Sequence, residues 1–128
     1  MNLEEQVCSL ELAKELDRLG VKVPSHFYWN AKDENIDAFW LTSNPYEGYS
    51  KYPAYSVAEL GGMLPEDMVQ TLKWKGLWYC ESWKDVVDKI NPICRKVDET
   101  EANARAKMLI YLITNKLMEV PKWTEKQQ

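Results

Sequence analysis

The apolar positions near the N-terminus repeat with the period of a helix. Leu12, Leu16 and Leu19 fall on one side of such a helix. Ser9 precedes this stripe and is a residue type suited to capping, while Gly20 follows it and is suited to left-handed backbone. The pattern therefore predicts a helix that begins after Ser9 and ends at Gly20.

A longer helix is predicted near the C-terminus, with Asp98 or Thr100 at its start. Its apolar side chains form one broad side made of Ala102, Ala106, Leu109, Ile110, Ile113 and Leu117, widened by Met108, Tyr111 and Leu112. Because this arc is wider than a single stripe, we expect the helix to pack against a sheet on one side and another helix on the other.

Two short aromatic segments, residues 26–30 and 38–41, predict a pair of antiparallel strands. The next segment, residues 42–55, contains two prolines and a glycine and follows neither helical nor strand periodicity. It predicts a long ordered loop, which is uncommon in a compact domain and often functional.

A short helix is predicted after Ser56, because Ser56 and Glu59 have the spacing of a capping box. Two consecutive glycines, Gly61 and Gly62, are expected to stop this helix early, and Pro65 prevents its continuation.

Residues 71–80 predict a β-hairpin whose two-residue turn is Lys75-Gly76. That turn pairs Lys73 with Trp78 on one side of the hairpin, next to the pair formed by Thr71 and Cys80. The other side is fully apolar, and for that reason the core is predicted there; its side chains are Leu72, Trp74, Leu77 and Tyr79.

A third helix is predicted from Ser82 to residue 90, where Trp83, Val86 and Ile90 lie on one side. Together these elements predict a single α+β domain over residues 1–128, with residues 121–128 as a frayed tail. The expected architecture is one antiparallel sheet of about four strands, built from two hairpins and packed by the N-terminal and C-terminal helices.

Composition excludes several classes of protein. Hydrophobic residues make up 45% of the 128 residues, which is enough for one packed core and too much for a disordered chain. The net charge is −4, whereas a dedicated binder of nucleic acid usually carries a basic excess. No signal peptide and no apolar run of membrane-spanning length stands out, so we expect a soluble cytoplasmic protein without a membrane partner.

Candidate chemistry is sparse. The three cysteines, Cys8, Cys80 and Cys94, form no C-x-x-C pair and predict buried free thiols. His26 is the single histidine, so a metal centre is not expected. Paired acids at residues 33–34 and 66–67 are typical of solvated loops. With no catalytic motif present, we predict no catalytic residue, no metal and no cofactor, and an enzyme is the less favoured class.

Four tyrosines recur at a spacing of three residues, which is the repeat of polyproline II. Tyr55 is expected to cover the core. Tyr46, Tyr49 and Tyr52 are expected either to cover the core as well or to face a partner, because tyrosine and tryptophan are enriched at binding hot spots.

Lysines and tryptophans alternate around the predicted hairpin, at Lys73, Trp74, Lys75, Trp78 and Lys84. Bases stacked on tryptophan and supported by lysine are a common way to hold single-stranded nucleic acid. The alternative is one buried tryptophan, a second tryptophan covered by a lysine stem, and solvated lysines. The acidic net charge favours this alternative.

Several stretches of the chain resemble corresponding stretches of a single protein family. The three longest are residues 8–16 (CSLELAKEL), 55–65 (YSVAELGGMLP) and 101–112 (EANARAKMLIYL). With residues 19–21 and 27–29, they resemble a family of small uncharacterised proteins encoded by phages and prophages. The resemblance implies a shared fold and a bacterial or phage setting. It implies no activity, substrate or catalytic residue.

The sequence thus favours a phage-associated, non-enzymatic protein-interaction module in the bacterial cytoplasm. Its candidate binding residues are Tyr46, Tyr49, Tyr52, Lys73, Trp74, Trp78 and Lys84. One alternative is a binder of single-stranded nucleic acid through Lys73, Trp78 and Lys84. A second is a small metal-dependent nuclease or hydrolase that uses loop acids.

Overall fold

The computed structural model describes residues 2–31, 39–43, 50–65, 69–83 and 94–122. Its elements, in chain order, are α1 Leu3–Gln6, α2 Leu10–Arg18, β1 Tyr28–Ala31, β2 Trp40–Thr42, β3 Ser50–Pro53, α3 Val57–Met63, β4 Val69–Trp74, β5 Leu77–Ser82, β6 Cys94–Asp98 and α4 Glu101–Thr114. The predicted α+β class is confirmed. In the described part of the chain, no helix has the length and apolar character needed to cross a membrane.

The strands form two three-stranded antiparallel sheets instead of one sheet of about four strands. In the first sheet β1 is central and pairs with β2 and β3. The β1–β2 pair matches the first predicted hairpin. The predicted loop over residues 42–55 is wrong where it is described, because Ser50–Pro53 is a strand whose Tyr52 lies opposite Trp29.

The second sheet has the order β4-β5-β6. The predicted hairpin is confirmed in its turn and in its register: Trp74 pairs with Leu77, and Lys73 pairs with Trp78. Lys75 and Gly76 both have positive φ, 52° and 82°, as a two-residue turn that follows the twist of its strands requires.

The third strand of this sheet, β6, was not predicted. Its sequence, CRKVD, mixes charged and apolar residues without clear alternation. The strand conformation therefore depends on pairing with β5 and not on a local sequence pattern. The helix predicted from Ser82 to residue 90 lies mostly outside the described residues, and Ser82 itself ends β5.

The predicted helix boundaries agree closely with the structure. The Ser9 hydroxyl accepts from the Leu12 N–H at the start of α2, and Gly20 has φ +95° just past its end. For α4 the cap is Thr100, one of the two expected starts. Helix α3 has the predicted capping box, but it continues through both glycines to Met63.

Helix α4 lies at the centre of the molecule, between β5 and β6 on one side and α2 and α3 on the other. Ala102, Ala104 and Ala106 are all fully buried, although successive members of this series point about 200° apart around a helix. Both sides of α4 are therefore covered, as the width of its apolar arc predicted.

The core lies on the opposite face of the hairpin from the one predicted. Cys80 is fully buried and Trp78 packs against the core, whereas Leu72 and Trp74 are 38% and 58% exposed. The size of one side chain of the central strand favours this choice. Cys80 is small and fully buried where β5 packs against α4.

Charged residues on the covered face occur on the edge strands, where long side chains can pass around α4. The Lys73 ammonium lies 5.7 Å from the ring centre of Trp78, and that of Lys96 lies 5.0 Å from Tyr111. The covered face therefore tolerates lysines at its margins without burying a charge.

We expect truncation of the two neighbouring tryptophans to affect stability very differently. Trp78→Ala should lower the free energy of unfolding by about 2–4 kcal/mol, because it leaves a space beside the core. Trp74→Ala should lower it by about 1 kcal/mol or less, because the ring is largely in solvent. Urea unfolding followed by far-ultraviolet circular dichroism measures both; equal losses would contradict the assignment of the covered face.

Candidate functional site

The outward side of the second sheet carries an apolar surface that becomes more exposed toward the hairpin turn. Its members lie opposite one another across the strands and are Leu72, Trp74, Leu77, Tyr79 and Val97, here called the open face. Exposure on this side of the sheet rises from 6% at Glu81 to 38% at Leu72 and 58% at Trp74. Apolar and aromatic side chains grouped in this way on a surface are typical of an interaction site.

Positive groups border the aromatic rings of the open face. The Lys75 ammonium lies 4.6 Å from the ring centre of Trp74, and the Arg95 guanidinium lies 5.9 Å from that of Tyr79. The two rings are themselves 6.5 Å apart and inclined at 55°. Arg95 also donates from Nε to Glu81 Oε2 at 2.6 Å, so the nearest acid is already paired.

Two of the predicted binding residues, Lys73 and Trp78, lie away from the open face. They line a cleft of about 250 Å³ that also includes Glu5, Glu99 and Glu101. Three carboxylates around the indole make this cleft unfavourable for phosphate. Lys73 and Trp78 lie on the opposite side of the sheet from Trp74, as the predicted register requires, since neighbouring residues of a strand point to opposite sides.

Of the predicted tyrosines, two lie in the described part of the chain. Tyr55 is buried at 1% exposure, as predicted, and its hydroxyl donates to the Val23 carbonyl at 2.6 Å. Tyr52 is half-buried against the core and lies 5.9 Å from Phe39, ring centre to ring centre. Tyr46, Tyr49 and Lys84 lie outside the described residues.

Glu59 of the capping box has a structural role beyond its own helix. Glu59 accepts hydrogen bonds from the Ser25 hydroxyl (2.8 Å) and from the backbone N–H groups of His26 and Ser56 (both 2.9 Å). It thereby ties the segment before β1 to the start of α3. Within the described ranges no three metal-ligating side chains cluster, and the acids at 33–34 and 66–67 lie outside those ranges.

The three thiols are free, and Cys8 and Cys80 are fully buried. Burial raises the pKa of each of these two thiols from its usual 9.0 to about 12. A thiol of this kind is a poor nucleophile near neutral pH, because the thiolate is the reactive form.

Sequence reasoning missed Arg95 and Val97, because they belong to the unpredicted strand β6. It also placed Leu72, Leu77 and Tyr79 in the core, where their hydrophobicity alone would put them. Local sequence carried no clear signal for the covered side, because both sides of β5 carry apolar residues.

Comparison of the chain with protein-family models, curated proteins and solved structures found no match.

We expect stability to fall as pH rises above about 9. The unfolded thiols ionise near 9.0 while the folded ones stay protonated to about 12, so the unfolded state loses protons first and is favoured. Urea midpoints measured from pH 8 to 10 should decrease, and they should decrease less steeply for Cys8→Ala. Parallel curves for the two proteins would contradict a buried, protonated Cys8.

Proposed function

We propose that this chain is a non-enzymatic protein-interaction module whose partner binds the open face. The observation that carries the proposal is the exposure of Trp74 and Leu72 beside the half-buried Leu77 and Tyr79. Burying a large aromatic side chain in a partner releases more free energy than most other contacts do.

The surroundings of these rings also support a specific contact. Arg95 is 53% exposed, and its guanidinium lies near Tyr79, so a partner could use the same group for a hydrogen bond. Aromatic residues and arginine are the residue types most enriched at the centres of protein interfaces.

The biological setting belongs to the same proposal. The resemblance of residues 8–16, 55–65 and 101–112 to phage and prophage proteins supports a phage origin and a place in the bacterial cytoplasm. The further contribution of Tyr46, Tyr49 and Tyr52 to the partner surface stays a prediction.

Affinity capture from a bacterial lysate tests the open face when it is done with matched variants. Trp74→Asp places a charge at the exposed ring and should abolish retention of the partner, because an unpaired charge would be desolvated on binding. Leu117→Asp is the control, since Leu117 is similarly exposed, at 52%, on another part of the molecule. The partner should then be purified and its affinity for the three proteins measured by calorimetry.

The proposal fails if every partner retained by the wild type is retained equally by Trp74→Asp. Thermal unfolding of both variants checks that a loss of binding is not a loss of fold.

Single-stranded nucleic acid is a second candidate ligand, and the cations beside the rings favour it. Lys75 borders Trp74 and Arg95 borders Tyr79, which is the combination of stacking and positive charge that such ligands use. This site differs from the predicted one, because the acids around Trp78 oppose binding there.

Titration with oligothymidylate at low salt distinguishes this second candidate. If it is correct, tryptophan fluorescence should be quenched, the affinity should fall as salt rises, and Trp74→Ala should remove the effect. Unchanged fluorescence at low salt would exclude it.

A further inference from the structure

Strand β4 forms an edge of the second sheet, because among the described residues it pairs only with β5. An edge strand offers backbone N–H and C=O groups to another extended segment. With six residues, Val69–Trp74, it is about 20 Å long and can pair with a peptide segment of similar length.

Helix α3 borders this edge, and a groove lies between the two elements. At one end is a cavity of about 180 Å³, lined by the end of α3 at Gly61 and Leu64 and by the first half of β4 at Val69 and Thr71. At the other end is the acid-lined cleft, where Val57 of α3 lies near Lys73 of β4.

Arg105 of α4 crosses beneath the groove and holds its two sides together. Its Nη1 donates to the Val57 carbonyl at 3.3 Å, and its Nη2 donates to the Thr71 hydroxyl at 3.0 Å. Nη2 also pairs with Glu101 at 2.6 Å. A Cβ at Gly61 would clash with this guanidinium, so the glycine leaves space for the Arg105 side chain.

The charges of the groove indicate the kind of segment that fits it. Arg105 and Lys73 carry positive charge, whereas Glu5, Glu99 and Glu101 carry negative charge. The imbalance lies at the cleft, because Glu101 pairs with Arg105 while neither Glu5 nor Glu99 forms an ion pair with a described residue. Lys73, whose ammonium lies 5.7 Å from the Trp78 ring centre, offsets one of these two charges, so the cleft keeps a net negative charge.

We propose that the groove between α3 and β4 binds an extended peptide by strand addition to β4, with an apolar side chain in the cavity and a lysine or arginine in the cleft. This inference rests on the proposed function in taking the partner to be a protein, and it names the segment that the partner contributes. A second copy of this chain is disfavoured, because its groove carries the same net negative charge. The side chains of the added strand that point away from the groove would lie beside Leu72 and extend the open face.

The spacing of the two subsites is consistent with one extended peptide. Thr71 lines the cavity and Lys73 lines the cleft, so the subsites are two residues apart along β4. Side chains two residues apart on an extended peptide point to the same side, which allows one peptide to fill both.

A fluorescein-labelled, end-blocked peptide of about nine residues tests the proposal, with valine and threonine alternating and lysine replacing the central valine. By fluorescence anisotropy at low salt, it should bind at least about tenfold more tightly than the same peptide with a central glutamate. Equal affinities, or no binding of the lysine peptide at millimolar concentration, would overturn the proposal.

N-methylation separates strand addition from binding through side chains alone. Two versions of the lysine peptide carry N-methyl groups on alternate residues, one set on each edge of the extended chain. One version should lose at least about tenfold in affinity and the other little, because only one edge faces β4. If both versions bind like the parent peptide, strand addition is wrong.

Charge reversal in the protein tests the cleft. The double variant Glu5→Lys and Glu99→Lys should reverse the preference, so that the glutamate peptide binds more tightly than the lysine peptide. Glu11→Lys with Glu119→Lys is the matched control, because both acids are exposed elsewhere, and it should keep the original preference. An unchanged preference in the first variant would overturn the role of the cleft.

The outcomes also separate this inference from the proposed function. If binding of the purified partner requires Trp74 but no peptide binds the groove, the proposal of an interaction at the open face is supported and strand addition is wrong. If the lysine peptide binds as expected while Trp74→Asp leaves the cellular partner bound, the groove stands and the open face fails.

Discussion

Burial of α4 on two sides is the constraint on which the rest of this structure depends. The alternating burial of Ala102, Ala104 and Ala106 requires cover on opposite sides of the helix, which the second sheet and the helices α2 and α3 supply. Small side chains here let both layers come close to the helix backbone. The core of the described residues is therefore organised around one helix, and the second sheet has a side that this helix does not cover.

Polar contacts of α4 fix the position of the surrounding elements. Asn103 accepts from the Ser9 N–H at 2.8 Å and so joins α4 to the start of α2. Arg105 joins it to α3 and β4, and Lys107 reaches the Val97 carbonyl of β6 at 3.2 Å. Hydrophobic burial is not directional, so these bonds define which strand and which helix end lie beside each turn of α4.

The two candidate binding features follow from this arrangement. Since α4 covers the side of the sheet that carries Cys80, the more apolar side with Leu72 and Trp74 is left outward. Since α3 and β4 are both bonded to Arg105, a groove of defined width remains between them. The two features offer a partner shape, aromatic rings and backbone groups.

Local sequence alone determined the helix caps at Ser9 and Ser56 and the hairpin turn at Lys75-Gly76, because these depend on backbone conformation and hydrogen bonds within a few residues. It also identified Trp74 as a candidate contact. Only the tertiary structure decided which side of the hairpin is covered and that Ser50–Pro53 and Cys94–Asp98 become strands. Both sides of β5 carry apolar residues and neither added strand alternates clearly, so partners distant in sequence made the choice.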